Sequence, residues 1–154
     1  MQSSIEVKVL LEEDLDLLVE LVKENELYLS EEWPGIGTRY RNPKIKLQLR
    51  GVLESVDSNI WGVFIHSSLV GAVHVGYREL NSLEVGYFVS KQWSNQGVAT
   101  AALQMFADKV SLEPCTIRAT VNIDNVPSIK VVEKAGFTVI KRTSTKLIYC
   151  KAGS

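Results

Sequence analysis

The strongest constraint on this fold is a block of three consecutive β-type segments enclosed by helical patterns. The segments NIWGVFIHS, LVGAVHVGY and SLEVGYFVS are rich in β-branched and aromatic residues, and only short polar stretches separate them. Short connections join antiparallel neighbours, because a parallel pair needs a crossover of about a dozen or more residues. The sequence therefore predicts three successive antiparallel strands.

Two segments with helical periodicity precede these strands. EEDLDLLVELVKENEL follows a first strand, IEVKVLL, and repeats leucine and valine at helical spacing behind an acidic first turn. The proline- and glycine-containing segment YLSEEWPGIGTRYRNP is predicted to be a loop with about one helical turn. A second helix is predicted over KIKLQLRGVLESV, ending near Asp57. Its apolar stripe consists of Ile45, Leu49, Val52, Leu53 and Val56.

The remaining segments complete an alternating order of elements. VATAALQMFADKV predicts an apolar helix with one narrow polar stripe, and CTIRATVNI predicts a strand. VPSIKVVEKAG predicts a helix with Pro127 in its first turn and Gly136 after its end. FTVIKR and TKLIYCK predict two closing strands. The order β, α, α, β, β, β, α, β, α, β, β contains no long linker. Residues 1–154 are therefore predicted to form one α/β (α+β) domain, with a mixed sheet of about seven strands flanked by about four helices.

Composition excludes several classes of function. The formal net charge of -1 argues against nonspecific binding of nucleic acid, which usually requires a basic excess. No run approaches the ~20 apolar residues that span a bilayer, and the N-terminus lacks a basic region, so a soluble, unsecreted, cytoplasmic protein is expected. Cys115 and Cys150 lack the spacing and nearby histidines of a zinc site. They are predicted to be reduced thiols, and no metal is expected.

The segment SKQWSNQGVATAAL joins the last of the three strands to the next helix through a polar turn. Unpaired N–H groups at a helix start lie at the positive end of the helix dipole, so such a turn is suited to an anion. Gly97 permits a positive φ, and Ala99 and Thr100 leave room for a pyrophosphate over the first turn. The phosphate loop and the dinucleotide fingerprint are disfavoured, because one needs a lysine and the other three glycines. An ordinary helix cap is the alternative.

Residues 82–137 resemble the GCN5-related N-acetyltransferase (GNAT) superfamily in two motifs. The acetyl-CoA loop of that family has Gln or Arg, two residues, Gly, one residue, and Gly or Ala. The matching positions are Ser94, Asn95, Gln96, Gly97, Val98 and Ala99, and only Ser94 departs. NIDNVPSIKVVEKAGF resembles the second signature, with Asn125, Ser128, Glu133, Lys134, Gly136 and Phe137 on the matching positions. YFVSKQW and LYLSEEWP look most like the RimJ/RimL branch, which acetylates ribosomal-protein N-termini or other amines.

The resemblance implies a GNAT-like domain that binds acetyl-CoA and transfers its acetyl group to a primary amine. Neither cysteine lies in a motif, so direct attack in a ternary complex is expected, by a monomer or a homodimer. The alternative is a catalytically weak CoA-binding regulatory module, because Ser94 and Val132 replace the usual residues. The implied cofactor-binding residues are Phe88, Val89, Ser94, Asn95, Gln96, Gly97, Val98, Ala99, Thr100, Asn125 and Ser128.

Acetyl transfer requires a base for the amine and an acid for the departing thiolate. Glu84 is the candidate base, because part of the family has a glutamate at the matching strand position. His74 and a water relay are alternatives, and His66 is weaker. The tyrosine that many members use as the acid is replaced here by Val132. The resemblance to RimL-like members, which have a serine at this position that can donate to the sulfur, makes Ser128 the candidate acid. An ordinary first-turn hydroxyl is the alternative.

The acceptor side of the site is less well defined. Acidic residues near the first helix and its loop favour a cationic acceptor, or form a solvated helix face. These residues are Glu12, Glu13, Asp14, Glu31 and Glu32. Trp33 and Tyr40 are candidates to line the acceptor pocket. The identity of the amine is not specified by any motif.

Overall fold

Seven strands form one mixed sheet in the computed structural model, which describes residues 4–55, 58–79, 82–110 and 116–152. The strand order is β1-β2-β3-β4-β5-β7-β6, and every neighbouring pair is antiparallel except the parallel pair β4 and β5. The predicted fold class and mixed sheet are therefore confirmed. The strands are β1 (Ile5–Val9), β2 (Ser58–Ile65), β3 (Ser68–Glu79), β4 (Ser82–Val89), β5 (Thr116–Asn122), β6 (Thr138–Arg142) and β7 (Lys146–Ala152).

Six α-helices flank the sheet within the described ranges. They are α1 (Leu15–Glu24), α2 (Glu26–Ser30), α3 (Ile36–Arg41), α4 (Ile45–Glu54), α5 (Val98–Val110) and α6 (Val126–Lys134), and short 3₁₀ helices cover Glu12–Asp14 and Lys91–Trp93. The predicted loop between the first two long helices contains α2 and α3. Gly35 separates them with a φ of 90°, which favours glycine. Val56, Asp57 and Cys115, named in the predictions, lie outside the described residues.

Hydrophobic cores cover both faces of the sheet. On one face α5 packs against the strands through a buried stripe that includes Leu103 and Phe106, both 0% exposed. Gln104 and Asp108 are exposed on the opposite side of this helix, as the sequence predicts. On the other face α1 and α4 form the second core, together with α2 and α3. The sheet is thus the middle layer of three.

The parallel pair β4 and β5 separates halfway along its length. Only Ser82–Val85 of β4 pair with 116–119 of β5, although β4 continues to Val89 and β5 to Asn122. The carboxyl halves of the two strands therefore leave a gap. Helices α5 and α6 follow these strands in the chain, so both helices begin at the end of the sheet where the gap opens.

Candidate active site

A cleft of about 640 Å³ opens at the gap between β4 and β5. This volume lies within the range typical of small-molecule and cofactor sites. Its walls are the end of β4, the loop into α5, the connection from β5 into α6, and the residues around the end of α2. The lining brings together nine predicted site residues: Phe88, Val89, Ser94, Asn95, Gly97, Ala99, Thr100, Asn125 and Ser128.

The loop before α5 is held in shape by its backbone conformation and by hydrogen bonds within the loop. Asn95 and Gly97 have φ of 59° and 79°, in the left-handed region. The Ser94 hydroxyl donates to a backbone carbonyl three residues earlier at 2.7 Å, and the Gln96 amide to one four residues earlier at 3.0 Å. These side chains are therefore occupied within the loop. Ser94, the one residue that departs from the family pattern, thus uses its hydroxyl for a hydrogen bond within the loop.

Backbone N–H groups at the start of α5 remain available to a ligand. The N–H of Ala101 donates to the Gly97 carbonyl at 3.0 Å, which starts the helical ladder. By helix geometry, the N–H groups of residues 98–100 have no carbonyl partner within α5. Ala99 and Thr100 line the cleft, whereas the Val98 side chain is buried in the core and Gln96 is exposed. The positive end of the dipole of this 13-residue helix therefore lies at the cleft.

Tyr87 and Ser128 form a close pair across the strand gap. The Tyr87 phenol oxygen lies 2.6 Å from Ser128 Oγ and 3.3 Å from the Ser128 carbonyl oxygen. Burial raises the pKa of Tyr87 to about 12, with a smaller contribution from the Glu32 carboxylate and an opposing one from the Ser128 hydrogen bond. The phenol is therefore protonated at neutral pH. Both side chains line the cleft.

Asn125 links the start of α6 to the acceptor side of the cleft. Its Oδ1 accepts from the Ser128 N–H at 3.2 Å and caps α6, while its Nδ2 donates to the Glu32 carboxylate. Glu32 follows α2, so this contact joins the helices below the sheet to α6. The capping bond also fixes the backbone of Ser128, from which the hydroxyl beside Tyr87 extends.

The predicted bases lie outside the described lining of the cleft. Glu84 sits on β4 opposite Arg118, where the two strands are still paired, and its Oε2 accepts from the Thr120 hydroxyl at 3.2 Å. His74 lies on β3 with its ring centroid 6.1 Å from that of Phe88. Burial and the Arg39 charge lower the pKa of His74 to about 4. His74 is therefore neutral but only weakly basic at pH 7.

The acidic residues of the sequence analysis divide between two places. Glu31 and Glu32 line the cleft with Asp124, and the described lining contains no lysine or arginine. Asp14 instead accepts from the Leu11 N–H at 3.0 Å, and the carboxylate of Glu12 pairs with Arg50 at 2.7 Å. The negative charge inside the cleft therefore comes from the residues after α2 and β5. Glu12 and Glu13 line a separate depression beside α1 and α4.

Trp33 lines the cleft as expected, but Tyr40 does not. The Trp33 ring packs edge-on against Phe88 with centroids 5.9 Å apart. Tyr40 is 1% exposed in the core formed by the helices, because α3 turns this side chain inward, so the expectation that it lines the pocket was wrong. Tyr87 was missed as a site residue. The signal available for it was an aromatic residue with a polar tip near the end of a strand that precedes the loop.

The part of the chain that the structure describes lacks two other kinds of feature. It holds no cluster of three or more His, Cys, Asp or Glu side chains placed to bind a metal ion. None of its helices has the length and hydrophobicity required to cross a bilayer. Cys150, on β7, is a free, half-buried thiol.

A match to a known family identifies the class of protein. The family described as "Acetyltransferase (GNAT) domain" matches residues 7–138, so the chain belongs to the GNAT family. The family resemblance found in the two motifs is thereby confirmed. No curated protein sequence is significantly similar to the chain.

Solved structures with the same fold include members of the expected branch. The ribosomal-protein-S5-alanine acetyltransferase from Vibrio fischeri has a TM-score of 0.79 at 17% identity, over 97% of this chain and 93% of that one. RimJ from Mycobacterium smegmatis, solved with CoA-disulfide, has a TM-score of 0.78 at 21% identity, over 96% and 81%. AAC(6')-Ib, solved with paromomycin and acetyl-CoA, has a TM-score of 0.78 at 16% identity, over 96% and 92%. The fold is therefore RimJ/RimL-like.

Proposed function

We propose that this protein transfers the acetyl group of acetyl-CoA to a primary amine by direct attack in a ternary complex. The observation that carries the proposal is the strand gap. It brings the exposed N–H groups of α5 and the hydroxyl of Ser128 to the same cleft. An anion site and a proton donor on either side of one gap fit an anionic thioester donor. We expect the protein to act in the cytoplasm, like a RimJ/RimL-type enzyme.

Backbone groups around the cleft suit two parts of the donor. The loop and the first turn of α5 present backbone N–H groups suited to a pyrophosphate, with Ser94, Asn95, Gln96, Gly97, Val98, Ala99 and Thr100 as the proposed contact residues. The end of β4 at Phe88 and Val89 offers backbone groups for the thioester arm, and Asn125 faces the same gap. When bound, acetyl-CoA supplies an activated acetyl group.

The chemistry requires two proton transfers that residues beside the cleft can serve. The amine nitrogen forms a bond to the acetyl carbon, the carbon–sulfur bond breaks, and its electron pair goes to sulfur. One proton of the ammonium group leaves to a base and then to solvent. Ser128 gives the sulfur a proton, and a second nitrogen proton replaces it through water. The products are an amide and a free thiol, with one proton released.

A cationic acceptor fits the remaining wall of the cleft. Glu31, Glu32 and Asp124 supply negative charge, and the aromatic side chains of Tyr28 and Trp33 stand beside them. Carboxylates and aromatic faces both attract an ammonium group. The proposed acceptor classes are therefore a protein N-terminus, such as that of a ribosomal protein, and a small-molecule amine.

The test combines binding and transfer. Calorimetry with acetyl-CoA measures donor binding, and a thiol-release assay measures transfer to ribosomal-protein N-terminal peptides, polyamines and aminoglycosides. We expect binding of acetyl-CoA and transfer to at least one amine. Binding without transfer to any amine would favour the alternative, a regulatory CoA-binding module. Absence of acetyl-CoA binding would overturn both.

The base is proposed from the sequence to be Glu84, acting through water because the side chain lies outside the described lining of the cleft. Glu84→Gln keeps the shape and the capacity to bond to Thr120 but removes the base. A loss of about 10²-fold or more in kcat is expected, because a positioned base contributes about that much. Full activity of Glu84→Gln would remove Glu84 from the mechanism, and a water relay would take its place.

A further inference from the structure

The acid side of the reaction contains a tyrosine on an unexpected element. Many members of the family carry the acid tyrosine on the helix within the second motif, where this chain has Val132, which is 0% exposed in the core. A phenol nevertheless reaches the cleft from β4. The Tyr87 oxygen lies 2.6 Å from Ser128 Oγ, although the two residues are 41 positions apart in the chain.

The phenol proton of Tyr87 has two possible acceptors on Ser128. The Tyr87 oxygen also lies 3.3 Å from the Ser128 carbonyl oxygen, which can only accept. The single phenol proton is therefore directed toward Ser128. Because the pKa of Tyr87 is raised to about 12, the phenol keeps this proton over the working pH range. Of its two acceptors on Ser128, Oγ at 2.6 Å is much nearer than the carbonyl oxygen at 3.3 Å, and donation to Oγ leaves the Ser128 proton for a different partner.

We propose that Tyr87 is a positioning residue that donates to Ser128 Oγ and directs the Ser128 proton toward the sulfur of CoA. The proposal rests on the proposed function, since it assigns a role at the same donor site. Asn125 holds the Ser128 backbone through the helix cap, and Tyr87 holds the side chain. As the carbon–sulfur bond breaks and its electron pair goes to sulfur, the Ser128 proton passes to that sulfur. The Tyr87 proton supports the Ser128 oxygen until water restores its proton.

The pKa of the thiol of bound CoA tests this role without an acceptor. A hydroxyl that donates to the sulfur stabilises the thiolate and lowers this pKa. Titration of CoA bound to each variant, followed by the ultraviolet absorbance of the thiolate, measures it. Ser128→Ala is expected to raise the pKa of the bound thiol by about 1 to 2 pH units, the equivalent of one hydrogen bond to a charged group. Tyr87→Phe is expected to raise it by about half as much.

The double variant separates positioning from direct action. If Tyr87 acts through Ser128, Tyr87→Phe changes nothing further in the Ser128→Ala background. Tyr149→Phe is the matched control, because Tyr149 also loses one hydrogen bond, of 2.8 Å to Glu133, but lies outside the described lining of the cleft. Its bound CoA is expected to titrate like that of the wild type. With an amine acceptor, Tyr87→Phe is also expected to lower kcat about tenfold at an unchanged Kd for CoA.

Three results would overturn the inference while leaving the proposed function in place. The first is that Tyr87→Phe binds CoA with a wild-type pKa of the bound thiol. The second is that Tyr87→Phe shifts this pKa as much in the Ser128→Ala background as in the wild type. The third is that Tyr149→Phe shifts this pKa as much as Tyr87→Phe does. Should Tyr87→Phe fail to fold, Tyr87→Met fills the same wall without a hydroxyl and takes its place. Absence of CoA binding by the wild type would instead overturn the proposed function, and this inference with it.

Discussion

His74 gives the protein a specific dependence of stability on pH. Its pKa is 6.5 in the unfolded chain and about 4 in the folded protein, because burial and the charge of Arg39 on α3 disfavour the imidazolium. The unfolded state therefore binds more protons between these two values. The stabilisation that comes from a neutral His74 is complete above about pH 6.5 and is lost as the pH falls toward 4.

The size of this effect follows from the two pKa values. The gap between them corresponds to about 3 kcal/mol of unfolding free energy in total, and about 2 kcal/mol is lost by about pH 5. Urea unfolding followed by tryptophan fluorescence, at pH values from about 7.5 to about 5, measures the loss. His74→Gln does not titrate and is expected to show a dependence that is smaller by about 2 kcal/mol over this interval.

The chain supplies its own control for this experiment. His66 is the other histidine and lies exposed in the turn between β2 and β3, so His66→Gln is expected to keep the wild-type dependence. An identical pH dependence in His74→Gln and the wild type would refute the reasoning. The same conclusion would follow if His66→Gln flattened the curve as much as His74→Gln does.

Three further predictions concern the donor loop, the core and the acceptor wall. Gly97→Ala is expected to destabilise the protein by about 1 to 2 kcal/mol and to weaken CoA binding, because Gly97 has a φ of 79°. Urea unfolding measures the stability and calorimetry the affinity for CoA. A wild-type affinity for CoA would contradict the prediction. Phe106→Ala is expected to lower the free energy of unfolding by about 3 to 5 kcal/mol, because Phe106 is 0% exposed and packs edge-on against Trp61 with ring centroids 5.2 Å apart. A loss below about 1 kcal/mol in urea unfolding would contradict this prediction. Glu32→Gln is expected to raise KM for a cationic amine about tenfold at unchanged CoA affinity, whereas an unchanged KM would separate Glu32 from acceptor binding.

The strands of the fold could be predicted because their signals are local. The β-rich segments separated by short polar turns predict the antiparallel strands β2, β3 and β4, and the observed antiparallel pairing agrees. The segment that forms α2 and α3 is predicted only as a loop with about one helical turn, since these helices have 5 and 6 residues and gain their stability from tertiary packing. Leu29 and Tyr40 anchor them in the core below the sheet.

The parts of the candidate site that come from one continuous segment could be predicted from the sequence. The loop around Gly97 and the helix start after it follow from one short segment. The Tyr87 and Ser128 pair depends on the distance at which β4 and β5 separate, which no local pattern records. The same strand geometry explains why Glu84 lies outside the described lining, because the strands are still paired at that residue.

The internal hydrogen bonds of the loop before α5 bear on the order in which the two proposed substrates would bind. Ser94 and Gln96 already hold the loop in a defined conformation, so a ligand need not order it, and association avoids that entropic penalty. The proposed donor loop is thus preorganised by hydrogen bonds within itself. Acetyl-CoA is therefore expected to bind first, with an association rate that does not change when the amine is present.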